Sequence, residues 1–101
     1  MTEANFEDEL TNFTVAVRSR SIKGIHYEQK QQKMCVLTSS GRFKIYKNVH
    51  PSVVREIIQH QYPGYAFDTA RRDIGPELSQ LTPSGFLSAI SARRAFRNIG
   101  V

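Results

Sequence analysis

Lys33-Met34-Cys35-Val36-Leu37-Thr38-Ser39-Ser40-Gly41-Arg42-Phe43-Lys44-Ile45-Tyr46-Lys47-Asn48 is the stretch on which the fold turns. Its first half, Lys33 to Ser39, is rich in residues that suit a pleated strand, among them Cys35, Val36, Leu37 and Thr38. Ser39, Ser40 and Gly41 form a flexible turn, and Arg42 to Asn48 returns, so the stretch reads as a β-hairpin. Upstream, Phe13, Val15 and Val17 alternate with Thr14, Ala16 and Arg18, the pattern of a half-buried strand. Ser21 to Glu28 is a further strand with Ile25 and Tyr27 on one face, and Glu28 to Gln32 is a polar turn. Strands joined in this order predict an antiparallel meander.

Downstream, period two gives way to period 3.6 at His50. Pro51 suits a first helical position, and Val53, Val54, Ile57 and Ile58 recur as an apolar stripe. That helix stops before Pro63 and Gly64. Tyr65 to Ile74 is aromatic and basic without clear periodicity, and Gly75-Pro76 marks a turn. Thr82 is an N-cap with Pro83 behind it, opening a helix that runs to Asn98 before Gly100. The fold class is therefore α+β: an antiparallel β-meander of about four strands packed by one helix, plus a C-terminal helix.

At 101 residues the chain is a single domain. Its longest apolar run, Met34 to Leu37, is far short of the roughly 20 residues a transmembrane helix needs. The lone Cys35 has no internal disulfide partner, and the acidic start is unlike a secretory signal, so the expected location is cytoplasmic with a reduced thiol. Residues 3 to 10 suit one or two helical turns with Phe6 and Leu10 on one side. The net charge of +5 conceals an asymmetry. Residues 1–10 hold four acids and no base, leaving 14 bases against five acids in the remainder. Such a body favours phosphate-bearing partners or acidic protein surfaces.

His26, His50, His60 and Cys35 match no metal-ligand spacing, and no phosphate loop, nucleophile elbow or dinucleotide fingerprint accompanies the carboxylates. Catalysis, a metal and a cofactor are therefore not expected. Binding residues are better represented. Tyr62, Tyr65 and Phe67 precede Arg71 and Arg72, a pairing of stacking rings with phosphate-holding charges. Alternation sets Arg42, Lys44 and Tyr46 on one face of the hairpin. Both groups equally suit a packed core with a solvated rim.

In the last helix Phe86, Leu87 and Ile90 share a face that Arg93, Arg94 and Arg97 continue, whereas Ala92, Ala95, Phe96 and Ile99 lie nearly opposite. Apolar groups on both sides predict that one half packs on the chain's own sheet. Phe96 and Ile99 would then meet a second chain, unless the helix breaks near Ser91.

Ser21-Ile22-Lys23-Gly24-Ile25-His26-Tyr27, Met34-Cys35-Val36, Gly41 to Tyr46, Asn48-Val49-His50-Pro51-Ser52-Val53 and Gly64-Tyr65-Ala66-Phe67-Asp68 together resemble the KTSC domain. This family of short bacterial and phage proteins also occurs at the C-terminus of some lysyl-tRNA synthetases. The resemblance covers about residues 19–74, leaving the acidic segment 1–10 and the helical extension 82–98 outside it. Lys44, His50 and Asp68 depart from the family's usual tyrosine, proline and asparagine. The resemblance implies a sheet-plus-helix fold, with RNA binding as the suggested activity.

The expected function is non-catalytic binding of a phosphate-rich ligand, RNA, DNA or a nucleotide signal, by a homo-oligomer. Arg42, Lys44, Tyr46, Tyr65, Phe67, Arg71, Arg72, Arg93, Arg94 and Arg97 are the candidate ligand contacts. The alternative is a protein-binding inhibitor or adaptor, such as a small phage protein that blocks a host complex.

Overall fold

Alternating apolar residues become strands at Asn12–Ala16 (β1), Ile22–Glu28 (β2), Lys33–Thr38 (β3) and Phe43–Tyr46 (β4) in the computed structural model, which describes residues 12–101. Helices follow at Pro51–Gln59 (α1) and Pro63–Ala70 (α2), then a short strand at Glu77–Leu78 (β5) and a last helix at Pro83–Asn98 (α3). The turns expected within residues 3–10 lie outside the described residues. Every strand is antiparallel to its neighbour in sequence, in the order β1-β2-β3-β4-β5. The meander thus has five strands rather than four. β5 escapes notice in the sequence because two residues carry no alternation; only its pairing of Leu78 with Ile45 and Glu77 with Tyr46 defines it.

The pleat sorts the residues of this sheet into two faces. Ile25, Tyr27, Met34, Val36 and Tyr46 point to one, where Val49, Val54, Ile57 and Phe67 cover them. Cys35, Leu37 and Ile45 point to the other, under Ala89, Ala92 and Phe96 of α3. The domain is therefore three layers, α1 and α2 on one side and α3 on the other.

α1 forms where the apolar stripe requires it. His50 caps it, Nδ1 accepting from the Ser52 N–H at 3.1 Å, and Val54 and Ile57 are buried. The segment expected to lack regular structure is helical over Pro63–Ala70. Eight residues span barely two turns, and only Pro63, Gly64 and Phe67 are buried, too few to display a period.

Tyr27 joins the layers through its hydroxyl, which donates to the Val49 carbonyl at 2.6 Å in the interior, and burial pushes its pKa up. Tyr27→Phe leaves that carbonyl without a partner. A loss of about 1–3 kcal/mol is expected, read as a lower urea midpoint at unchanged slope.

α3 starts as its sequence predicts. The Thr82 hydroxyl accepts from the Gly85 N–H at 3.1 Å, and Pro83 occupies the first turn. Its orientation is the reverse of the expectation. Gly85, Ser88, Ala89, Ala92 and Phe96 face the sheet, while Phe86, Leu87 and Ile90 are exposed. Phe96, expected at an intermolecular contact, is only 2% exposed within its own chain. Small Ala89 and Ala92 let the helix approach the strands closely, which a face of Phe86 and Leu87 would prevent. Ile99 is 43% exposed and lies just beyond the helix. Among the described residues no helix is long and apolar enough to cross a membrane.

Candidate functional site

At one end of the molecule three basic elements converge. The turn between β1 and β2 carries Arg18 and Arg20, and Lys23, the second residue of β2, is exposed. The β3–β4 turn, containing Arg42, is tied to it by the Ser39 N–H donating to the Ser21 carbonyl at 3.0 Å and the Ser39 hydroxyl donating to the Arg20 carbonyl. Over both lies the C-terminal half of α3, because Gly24 has no side chain: a Cβ there would stand 2.7 Å from Cε1 of Phe96.

Between these elements is a cleft of about 310 Å³ lined by Lys23, Leu37, Gly41, Phe43, Arg93, Phe96, Arg97 and Val101. Phe43 forms its aromatic floor, stacked on Phe96 with ring centroids 5.8 Å apart. The Arg93 guanidinium carbon lies 5.1 Å from the Phe43 ring centroid, a cation–π contact that restrains the side chain. None of the described acidic side chains lines the cleft, whose basic residues are Lys23, Arg93 and Arg97.

The ten candidate ligand contacts do not form one site. Lys44 and Tyr46 face α1 and α2, opposite Val36 and Met34 in register, whereas Arg93, Arg94 and Arg97 belong to α3 on the other side of the sheet. Tyr46 and Phe67 pack edge to face at 5.6 Å and are 5% and 4% exposed, so neither offers a ring to a base. Both were expected as ligand contacts; they are core. Burial pushes the Tyr46 hydroxyl pKa up, Glu77 adds to the rise, and nearby Arg71 opposes it. Arg71 also pairs with Asp68 at 3.7 Å, while Arg72 is exposed. Tyr65 is exposed, with Tyr62, around His60 at centroid separations of 6.1 and 6.3 Å, an aromatic patch remote from the cleft's floor.

Sequence reasoning missed Arg18, Arg20, Lys23 and Phe43. Alternation already separates Phe43 and Ile45 from Lys44 and Tyr46; following the charges led to the latter pair, on the face opposite the cleft. Of the expected contacts, Arg93 and Arg97 line the cleft, and Arg42 lies in the adjoining turn between Gly41 and Phe43.

Two polar clusters lie elsewhere on the α3 side. The Thr14 hydroxyl is 2.8 Å from His26 Nδ1, and His26 Nε2 stands 3.7 Å from Glu28 Oε2. That hydroxyl–imidazole–carboxylate order is superficially catalytic. The second gap exceeds hydrogen-bond reach, however, and the ring is buried, so the row has no continuous proton path. The His26 imidazole is the chief cause holding the Glu28 carboxyl below its usual range. Nearby, Lys33 Nζ donates to Ser84 Oγ at 2.7 Å and Ser88 Oγ at 3.3 Å in a cavity that also contains Glu28. Opposite charges there suit a polyanion less than the cleft with Lys23, Arg93 and Arg97. The Cys35 thiol, buried, is pushed up to about 12 and is protonated at neutral pH. Among the described residues, no three His, Cys, Asp or Glu side chains gather as metal ligands.

Comparison with protein-family models finds no match to this chain, and comparison with curated proteins finds none either.

Proposed function

We propose that the protein binds a phosphate-rich ligand, RNA, DNA or a nucleotide signal, without catalysis, in the cleft between α3 and the two basic turns. The observation that carries this reading is Arg93 held over Phe43 beside Lys23 and Arg97. A restrained guanidinium loses less freedom on meeting a phosphate, and its planar group can stack a base exposed in a single strand. Arg18, Arg20 and Arg42 extend positive charge outward along the same end, a track for a backbone longer than one nucleotide. The absence of turnover is part of the proposal, supported by the protonated thiol and the interrupted Thr14–His26–Glu28 row. A cytoplasmic homo-oligomer completes it.

The KTSC likeness belongs to this reading as well. In its favour, Ile22, Ile25, Tyr27, Val49 and Phe67 from its motifs are all buried, as positions that maintain a fold should be.

The expected test result is tighter binding of single-stranded oligonucleotide at about 50 mM salt than at higher salt, measured by fluorescence anisotropy. Arg93→Ala combined with Arg97→Ala should weaken it by about tenfold or more and lower the salt slope by about 1.4, at about 0.7 per phosphate contact on a single strand. If the intact protein binds no polynucleotide and no nucleotide under these conditions, the reading is wrong.

One observation favours the second reading, a protein-binding inhibitor or adaptor of the kind some small phage proteins provide. Phe86, Leu87 and Ile90 form an exposed apolar surface on α3, and neighbouring Leu81 is 97% exposed. A protein that binds no phosphate ligand but loses its target on Leu87→Asp would belong to that class.

A further inference from the structure

Among the described residues the outer edge of β1 is an unpaired sheet margin, and it has the properties of a self-complementary strand. Among the described residues β1 pairs only with β2, at one end of the five-strand order. The Val17 N–H donates to the Lys23 carbonyl at 2.8 Å, directly across the register in which Thr14 faces His26. Hydrogen-bonded positions alternate along an antiparallel ladder. Phe13, Val15 and Val17 therefore turn their backbone groups towards β2, and Asn12, Thr14 and Ala16 turn theirs outward.

We propose that a second copy of this chain adds antiparallel to that edge, with the two-fold axis at Thr14, so that two five-stranded sheets become one. Each copy then sets Thr14 opposite Thr14 of the other and Asn12 opposite Ala16, and these are the residues whose N–H and C=O groups are free to exchange hydrogen bonds. Phe13 falls opposite Val15 in the non-hydrogen-bonded pairs, where side chains stand closest, and an aromatic with a β-branched partner is a favourable combination there. The strand Asn12–Ala16 has no charge to repel its copy and no proline to block the ladder, the devices by which edges are commonly protected.

Charge order also selects a copy of this chain as the occupant. Acids, Glu7, Asp8 and Glu9, precede the strand in sequence, and bases, Arg18 and Arg20, follow it. Along the sequence this charge order is complementary to its own reverse, the condition an antiparallel copy needs. On the α1 side, half-buried Phe13 borders a groove shared with Tyr27, Pro51, Arg55 and Ile58, room for apolar side chains from the second copy.

This inference rests on the homo-oligomer reading and gives it a surface; the basic cleft does not depend on it. Thr14→Cys tests the axis directly, since native Cys35 is buried. Mild oxidation of Thr14→Cys should convert most of the protein to a disulfide-linked species of twice 11.5 kDa, whereas Leu87→Cys on α3 should stay uncrosslinked. Ala16→Pro deletes an outward N–H and spares the chain's own ladder. It should raise the dimer dissociation constant in sedimentation equilibrium by about tenfold. Crosslinking through Leu87→Cys and not Thr14→Cys would leave the oligomer standing and overturn the β1 edge. A wild-type monomer at all micromolar concentrations would overturn both.

Discussion

Phe96→Ala is expected to lower stability by about 3–5 kcal/mol, the cost of emptying a large aromatic site in a core. The ring is 2% exposed, stacks on Phe43, meets the His26 ring edge-on with centroids 6.4 Å apart and occupies the space left by Gly24. Chemical denaturation followed by circular dichroism measures the loss. A charged replacement, Phe96→Asp, should destabilise the α3 layer further, because an ionised carboxylate would have to be desolvated against Leu37 and Ile45. Were Phe96→Ala to keep its denaturation midpoint while its sedimentation coefficient fell, the ring would belong to a subunit interface and not to its own core.

Gly85→Ala is the second large effect, and its sign is opposite to that of an ordinary helical glycine. In an exposed helix interior the change favours folding by about 1 kcal/mol. Here an added Cβ would sit 2.0 Å from the Ser79 carbonyl oxygen, which also accepts from the Thr82 hydroxyl and N–H at 2.7 and 3.3 Å. Backbone has to give way, and the cap of α3 is part of that backbone. A loss of about 3 kcal/mol, the upper end of the overpacking range, is expected. Thermal unfolding distinguishes the cases at once: a higher midpoint in Gly85→Ala would mean that Ser79 and α3 are less closely joined than their geometry indicates.

Local chemistry made the first four strands and the two longer helices legible. Alternation, the Ser39-Ser40-Gly41 turn, Pro51 and Thr82-Pro83 each act over a few residues, and each determined an element boundary to within about two residues. Which face of α3 turns inward is not a local property. Both of its faces carry apolar groups, and the choice depends on Gly24 in a distant strand admitting Phe96 while Ala89 and Ala92 permit close approach. The candidate site shared that difficulty. Arg93 and Arg97 were identifiable as bases, but their partners Phe43 and Lys23 come from separate strands, and nothing in sequence spacing joins residue 23 to residue 97. Tyr46 and Phe67 misled because a ring destined for the interior and a ring offered to a ligand look alike until register is known.

The three-layer order has a consequence for how the chain is made. Each strand pairs with its immediate neighbour in sequence, so the sheet and its α1–α2 cover can assemble as soon as residues up to Leu78 have left the ribosome. Among the described residues, the opposite face, with Cys35, Leu37 and Ile45, takes its cover from α3, which is complete only at Asn98. At 5–20 residues per second those last residues take on the order of 1–4 s, an interval in which a nascent sheet presents an oily surface to chaperones and to neighbouring chains on the same message. Interruption of translation within α3 would release a chain with one finished face and one bare one, a natural substrate for aggregation or proteolytic clearance.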